Sequence, residues 1–240
     1  MSLRVEKMMN LNTFGFLANP TFVVVWYTFG LCAAGWAIYD MFTHNRNVMP
    51  PLKAAWPIIV IFFSIIGLLF YFWTCRPWGI SSLPDDEAKR VHHGFVSKRW
   101  TKVIGSVIHC VGGDGLGIIT AMTFTRLAYV SFWPEFWIEY AVGFAFGWLI
   151  FQYWGMHHMG NTPLQALWKG FRAEFFSMMT VMIGMGFVMR YVTPAVISIR
   201  PLPDSAAFWG LAAFGLLTGA ILTFPMNWWM VAVGWKHGMG

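Results

Sequence analysis

Six times along the chain a largely apolar run persists for about twenty residues, close to the length a helix needs to cross the roughly 30 Å hydrocarbon core of a bilayer. The runs cover about Pro20–Phe42, Leu52–Trp73, Val103–Thr125, Pro134–Trp154, Phe171–Val192 and Ala206–Val233. Pro20, Pro51 and Pro134 open three of them, where a missing N–H costs nothing. Charged residues make up only 11% of the chain and the mean hydropathy is +0.57, too little polar surface to cover a soluble core. No run shows the short alternating pattern of an outer-membrane barrel. The sequence therefore predicts an all-α integral membrane bundle of six transmembrane helices, a single membrane domain over residues 1–240, in contact with lipid.

The formal charge of +6 would point to nucleic acid in a soluble protein. Here the basic residues fall in loops between apolar runs, so no nucleic-acid partner is read. With six spans, eleven Lys and Arg fall on the side that holds both termini and five on the other, which predicts N- and C-termini in the cytoplasm. The location expected is the cytoplasmic (inner) membrane of a bacterium. The first twenty residues lack a small-residue cleavage site, so the first span is expected to serve as the insertion signal. Cys32, Cys75 and Cys110 are odd in number and widely spaced, a poor disulfide framework.

Residues 76–102 form the one strongly polar loop. Pro84-Asp85-Asp86-Glu87 has the form of an acidic helix start, and the basic and aromatic mixture of Arg90–Trp100 suits either a helix on the membrane face or a solvated connector. Within the third run, Gly105, His109, Gly113 and Gly117 recur every fourth residue, a ridge that admits another helix closely. Cys110 and Asp114 form the neighbouring stripe. An unpaired charge at that depth costs roughly 2.5–3.5 kcal/mol on insertion scales, so Asp114 must face protein, a proton or a cation.

The fifth run places Glu174, Met178, Met182, Met185 and Met189 on one helical face. Thioether and thiolate ligands select Cu(I), whereas methionine in a core is also plain filling. Met156, His157, His158 and Met159 end the fourth run, and His237 and Met239 end the chain on the same side, as do His92 and His93 in the loop. Pro225 and Asn227 in the sixth run read as a kink with a polar clasp. Glu135 and Glu139 read as favouring a helix N-terminus. Walker, dinucleotide, nucleophile-elbow and zincin motifs do not occur.

The run His109-Cys110-x-x-Gly113-x-Gly115-Leu116-Gly117, followed by ALWKGFRAEFFSMMTV and the C-terminal FWGLAAFGLLTGAILTFPMNWWMVAVGWKHGMG, resembles the bacterial membrane family catalogued as domain-of-unknown-function 4396. The resemblance spans about residues 103–239 and implies architecture without an activity. The chain departs from it in carrying Asp114 where that pattern has a cysteine, and Ile118 where it has an aspartate.

The functional expectation is a protein that binds or translocates a soft transition metal, copper, through His109, Cys110, Asp114, Glu174, Met178, Met182 and Met185, with His157 and His158 as a cytoplasmic exit. The rival expectation is a non-catalytic accessory or assembly subunit of a larger membrane redox complex, or a homo-oligomer, with haem on His109 as a variant. An intramembrane enzyme pairing Asp114 with Glu174 is the third class.

Overall fold

The computed structural model describes residues 11–236 and 238, and every regular element among them is helical. A 3₁₀ turn, Leu11–Ala18, leads into α1 (Pro20–Thr43), where Asn19 caps the helix by accepting from Phe22 N and Pro20 fills the first turn. Next come α2 (Pro50–Thr74), α3 (Asp85–Val96) and α4 (Arg99–Leu127). From Phe132 to His158 the helical backbone is unbroken: α5 (Phe132–Ala145), a π-helical segment (Phe146–Gln152) and α6 (Tyr153–His158). Then α7 (Pro163–Phe187) starts in a Thr162/Gln165 capping box and runs through a second π segment (Val188–Val192) into α8 (Thr193–Val196). The last helix, α9 (Ala206–Ala232), carries Pro225 inside it.

Among the described residues five helices are long and apolar enough to cross a bilayer, and their outward faces carry exposed side chains such as Val24, Phe29, Leu69, Phe124 and Ile183, so this is a multi-pass membrane protein in contact with lipid. α4 is its axis: 83% of its apolar stretch is buried, against 28% for α1. The glycine ridge of α4 explains part of that. A Cβ on Gly117 would stand 2.8 Å from Gly143 Cα, so α4 and α5 meet backbone to backbone.

The second apolar run does not cross. At Ser64 the backbone takes φ 50°, ψ −133°, and the chain doubles back. Trp56 and Tyr71 are fifteen residues apart, ~22 Å along a straight helix, yet their rings lie 5.4 Å apart. Gly67 returns against Val60 and Phe63. The reversal is held against α1: Trp26 Nε1 donates to Phe62 O at 2.8 Å and Ser64 Oγ donates to Trp26 O at 2.8 Å. Its two ends close on α1 again, through Tyr71 Oη to Asp40 Oδ2 at 2.8 Å and Arg76 Nε to Asp40 at 2.9 Å. α2 is a re-entrant hairpin. Non-helical backbone at such depth is tolerated where protein rather than lipid surrounds it.

This corrects the expected six spans and the expected shared side for the termini. α1, α4, the Phe132–His158 run, α7 and α9 traverse the bundle, an odd number. One end of the bundle carries the 44–49 turn, residues 75–98 with α3, the α6–α7 turn and the segment after α9, where Gly238 packs on Lys102. The other carries Leu11–Ala18, which packs through Leu17 on Gly210, together with the α4–α5 and α8–α9 connections, tied by Arg126 Nη1 to Pro201 O at 3.1 Å and Arg200 Nη1 to Val130 O at 2.7 Å. The expected acidic helix start exists at Asp85–Glu87 in α3.

Candidate functional site: a buried thiol, amine and acid pair

Cys110 and Asp114 lie one turn apart in the middle of α4, and both are wholly buried. α7 brings Glu174 opposite them, and Cys110 Sγ and Glu174 Oε2 are 3.3 Å apart. The π segment supplies the third wall. Its widened turn sets Gly147 against the acids and points Gln152 inward, Nε2 donating to Cys110 Sγ at 2.9 Å. A Cβ at Gly147 would collide with both Asp114 Oδ1 and Glu174 Oε1. The two carboxyl groups therefore meet over bare backbone.

The fourth contributor is Lys236. After α9 ends, the chain turns back and buries the lysine side chain in the bundle, only 2% exposed. Its Nζ donates to Asn227 Oδ1 at 2.6 Å, Cys110 Sγ at 2.7 Å and Ser177 Oγ at 3.0 Å, which uses all three ammonium protons. Asn227 is held for this by its own Nδ2, which donates to Thr223 O at 2.9 Å and Thr223 Oγ1 at 3.1 Å. The expected polar clasp at Asn227 is thus real, and its task is to seat a lysine.

The charges define what the site can do. Both oxygens of Asp114 and Oε1 of Glu174 have no hydrogen-bond donor among the described residues. Two bare carboxylates side by side in a low-dielectric interior repel strongly, and one buried ammonium compensates only one of them. The remaining charge has to be met by a proton or another cation. Cys110 stands between the two halves, accepting from Lys236 and, as a thiol, donating to Glu174.

Of the expected ligands, Cys110, Asp114 and Glu174 converge. His109 does not join them: its ring lies edge-on to Phe151, 5.5 Å between centroids, and neither nitrogen has a partner among the described residues. It belongs to the glycine ridge, a different stripe of α4. Met178 is packed in the apolar core, its Cε crowding the Cβ position of Gly143 together with Ile118 and the main-chain O of Asp114. Met182, Met185 and Met189 are packed in the apolar core; Met185 Sδ lies 2.6 Å from a Cβ at Gly215 on α9. His157 and His158 are exposed at the end of α6, with His157 stacked on Tyr153. No group of three or more His, Cys, Asp or Glu among the described residues is arranged to hold a metal ion. His237 and Met239 lie outside the described residues. Glu135 accepts from Arg126 and Thr125 and pairs with Arg200 at the far end of the bundle, a structural role.

Sequence reasoning missed Lys236, Gln152 and Gly147. Lys236 sits in a polar tail that hydropathy assigns to the surface. Gln152 and Gly147 reach the site only through the π segment, which no residue pattern announces.

Residues 99–236 match the family described as Domain of unknown function (DUF4396). The chain belongs to that family. The match opens with α4 and closes on Lys236, so it contains every residue of the buried network. The DUF4396 region leaves out α1 and the re-entrant hairpin; residues 33–74, which run from α1 through that hairpin, are similar to the family described as Phospholipase_D-nuclease N-terminal. No curated protein and no solved structure matches the chain.

Proposed function

We propose that this DUF4396 protein passes protons within a membrane, along the relay Lys236–Cys110–Glu174–Asp114. The observation that carries the reading is the position of Cys110 Sγ between an ammonium 2.7 Å away and a carboxyl oxygen 3.3 Å away. In one step the thiol proton moves to Glu174 Oε2 while a Lys236 proton moves to the sulfur, leaving a neutral amine, a neutral thiol and a carboxylic acid. Glu174 then shares that proton with Asp114. A proton is the one ligand that needs no cavity, and all four side chains are sealed from solvent. Chains of ionisable groups inside membrane bundles serve such relays.

The membrane in question is the bacterial cytoplasmic membrane. Eleven Lys and Arg belong to the end that carries α3 and Lys236, against Arg126, Arg190 and Arg200 among the described residues at the other, which orients the basic end toward the cytoplasm. The reading is tested by reconstituting the purified protein in vesicles that enclose a pH-sensitive dye and imposing a potential. Proton uptake is expected for the wild type and at least a tenfold slower rate for Glu174→Gln and Cys110→Ala. Equal rates in all three, in folded protein, overturn it.

A second reading keeps copper as the cation. It is favoured by the Cys110 thiol beside the acid pair, a soft donor. Copper(I) would have to displace Lys236 from the sulfur. Stoichiometric copper in purified protein, lost in Cys110→Ala, would replace the proton with the metal. Haem on His109 has less support, since its ring packs on Phe151. An accessory role in a larger complex is tested by the partners retained in mild detergent.

A further inference from the structure

At the basic end of the bundle, far from the acid pair, a recess of about 620 Å³ opens between α3, the 44–49 turn and the start of α4. Its wall carries Lys89, Arg90, His92, His93 and Lys102, and no Asp or Glu among the described residues lines it. The acids of α3, Asp85, Asp86 and Glu87, stay in the first turn, exposed and outside the lining. The rule that basic residues collect on one side of a membrane accounts for their number. It does not account for five of them converging on one concavity.

His92 adds a separate observation. It is 3% exposed, it lines the recess, and neither ring nitrogen has a hydrogen-bond partner among the described residues. Buried polar groups are nearly always partnered, so an imidazole held this way indicates a ligand that accepts hydrogen bonds. The basic groups around it comprise Lys89, Arg90 and His93 on its own helix, Lys102 on α4 and Lys53 on α2. Against them no carboxylate of the described residues lines the recess. A ligand that neutralises several cations and accepts from an imidazole is an oxyanion with several oxygens.

We propose that this recess binds a phosphate group, with Arg90, Lys89 and Lys102 as its charged contacts and His92 as the buried donor at its back. Charge-assisted bonds from guanidinium and ammonium to phosphate are the strong class of hydrogen bond. The end of α3 meets the start of α4 through Thr101 Oγ1 donating to Val96 O at 3.1 Å, at the end of an apolar span, so the phosphate has two possible sources: the headgroup of an anionic lipid, or free phosphate from the aqueous side. The proposal stands whether or not the buried relay carries protons.

The test uses full-length protein in two arms. In detergent, thermal stability is followed against inorganic phosphate, with chloride at equal ionic strength as control. In nanodiscs of phosphatidylcholine, it is followed against added phosphatidic acid. A saturable rise in melting temperature with either ligand is expected, with the affinity weakened about tenfold or more in Arg90→Gln/Lys102→Gln. Lys98→Gln, which removes a charge near the recess but not in its wall, is expected to behave as wild type. Response to phosphatidic acid alone assigns the site to lipid, and response to phosphate alone assigns it to the free ion. The proposal is overturned if neither ligand acts beyond chloride, or if Lys98→Gln weakens binding as much as the double variant.

Discussion

A methyl group is enough to probe the acid pair. Gly147→Ala places a carbon into the space where Asp114 Oδ1 and Glu174 Oε1 meet, inside a rigid three-helix contact. Forced overpacking costs about 1–3 kcal/mol, so the variant is expected to melt lower in detergent, whereas Gly160→Ala, whose surroundings are open, moves only through its own backbone conformation. His92 supplies the pH dependence. Burial first, and then the nearby His93 and Lys53, push its pKa down to about 4 from an ordinary 6.5. The folded protein thus holds this proton less tightly than the unfolded chain, and the stability from a neutral His92 is complete above pH 6.5. It is lost as the pH falls from 6.5 toward 4, by about 1–3 kcal/mol in all. The amide protection factors of α3, corrected for the intrinsic pH dependence of exchange, are expected to fall across that window in the wild type and to stay flat in His92→Phe. Cys110, Asp114 and Glu174 were legible in the sequence because an ionisable side chain in an apolar run has to be compensated. Lys236 was not, because its burial depends on a turn after α9.

Element by element, apolar length and proline position place α1, α4 and α9 within about four residues and the α3 start at Asp85, whereas α7 begins at Pro163, eight residues before the expected Phe171. What apolar length does not encode is direction. Residues 50–74 are long enough to cross, yet Ser64 reverses them; the Trp26 indole satisfies Phe62 O near the tip, and the Ser64 hydroxyl ties the tip to Trp26 O on α1. A non-glycine residue at such a φ costs on the order of 1–3 kcal/mol. Ser64→Gly relieves that strain and loses one hydrogen bond, so it is expected to leave the melting temperature nearly unchanged. Ser64→Val, β-branched and without the hydroxyl, is expected to lower stability by about 2 kcal/mol or more. Equal behaviour of the two variants in thermal unfolding would contradict the hairpin. The π segment is the second element that sequence periodicity hides, since one extra residue per turn rotates Gly147 and Gln152 onto the acids without altering composition.

For the whole molecule, the hairpin changes the parity of the chain. Five traverses leave α1 starting at one end and α9 finishing at the other, with the basic loops gathered at the α9 end. Reporter fusions active on only one side of the membrane, placed before α1 and after residue 240, are expected to report opposite sides, the C-terminal one cytoplasmic. The same geometry explains why the DUF4396 region runs from α4 to Lys236: the four helices and the returning lysine close one compartment, and α1 with its hairpin packs outside it. The charge balance inside that compartment is tested most directly by infrared difference spectroscopy of the purified protein across a pH titration. The account predicts, beyond any contribution of the separate buried carboxyl of Glu139, a carboxylic-acid C=O band from one proton of the acid pair, absent in both Asp114→Asn and Glu174→Gln. A wild-type spectrum without that band, or a band that survives in both variants, would contradict it.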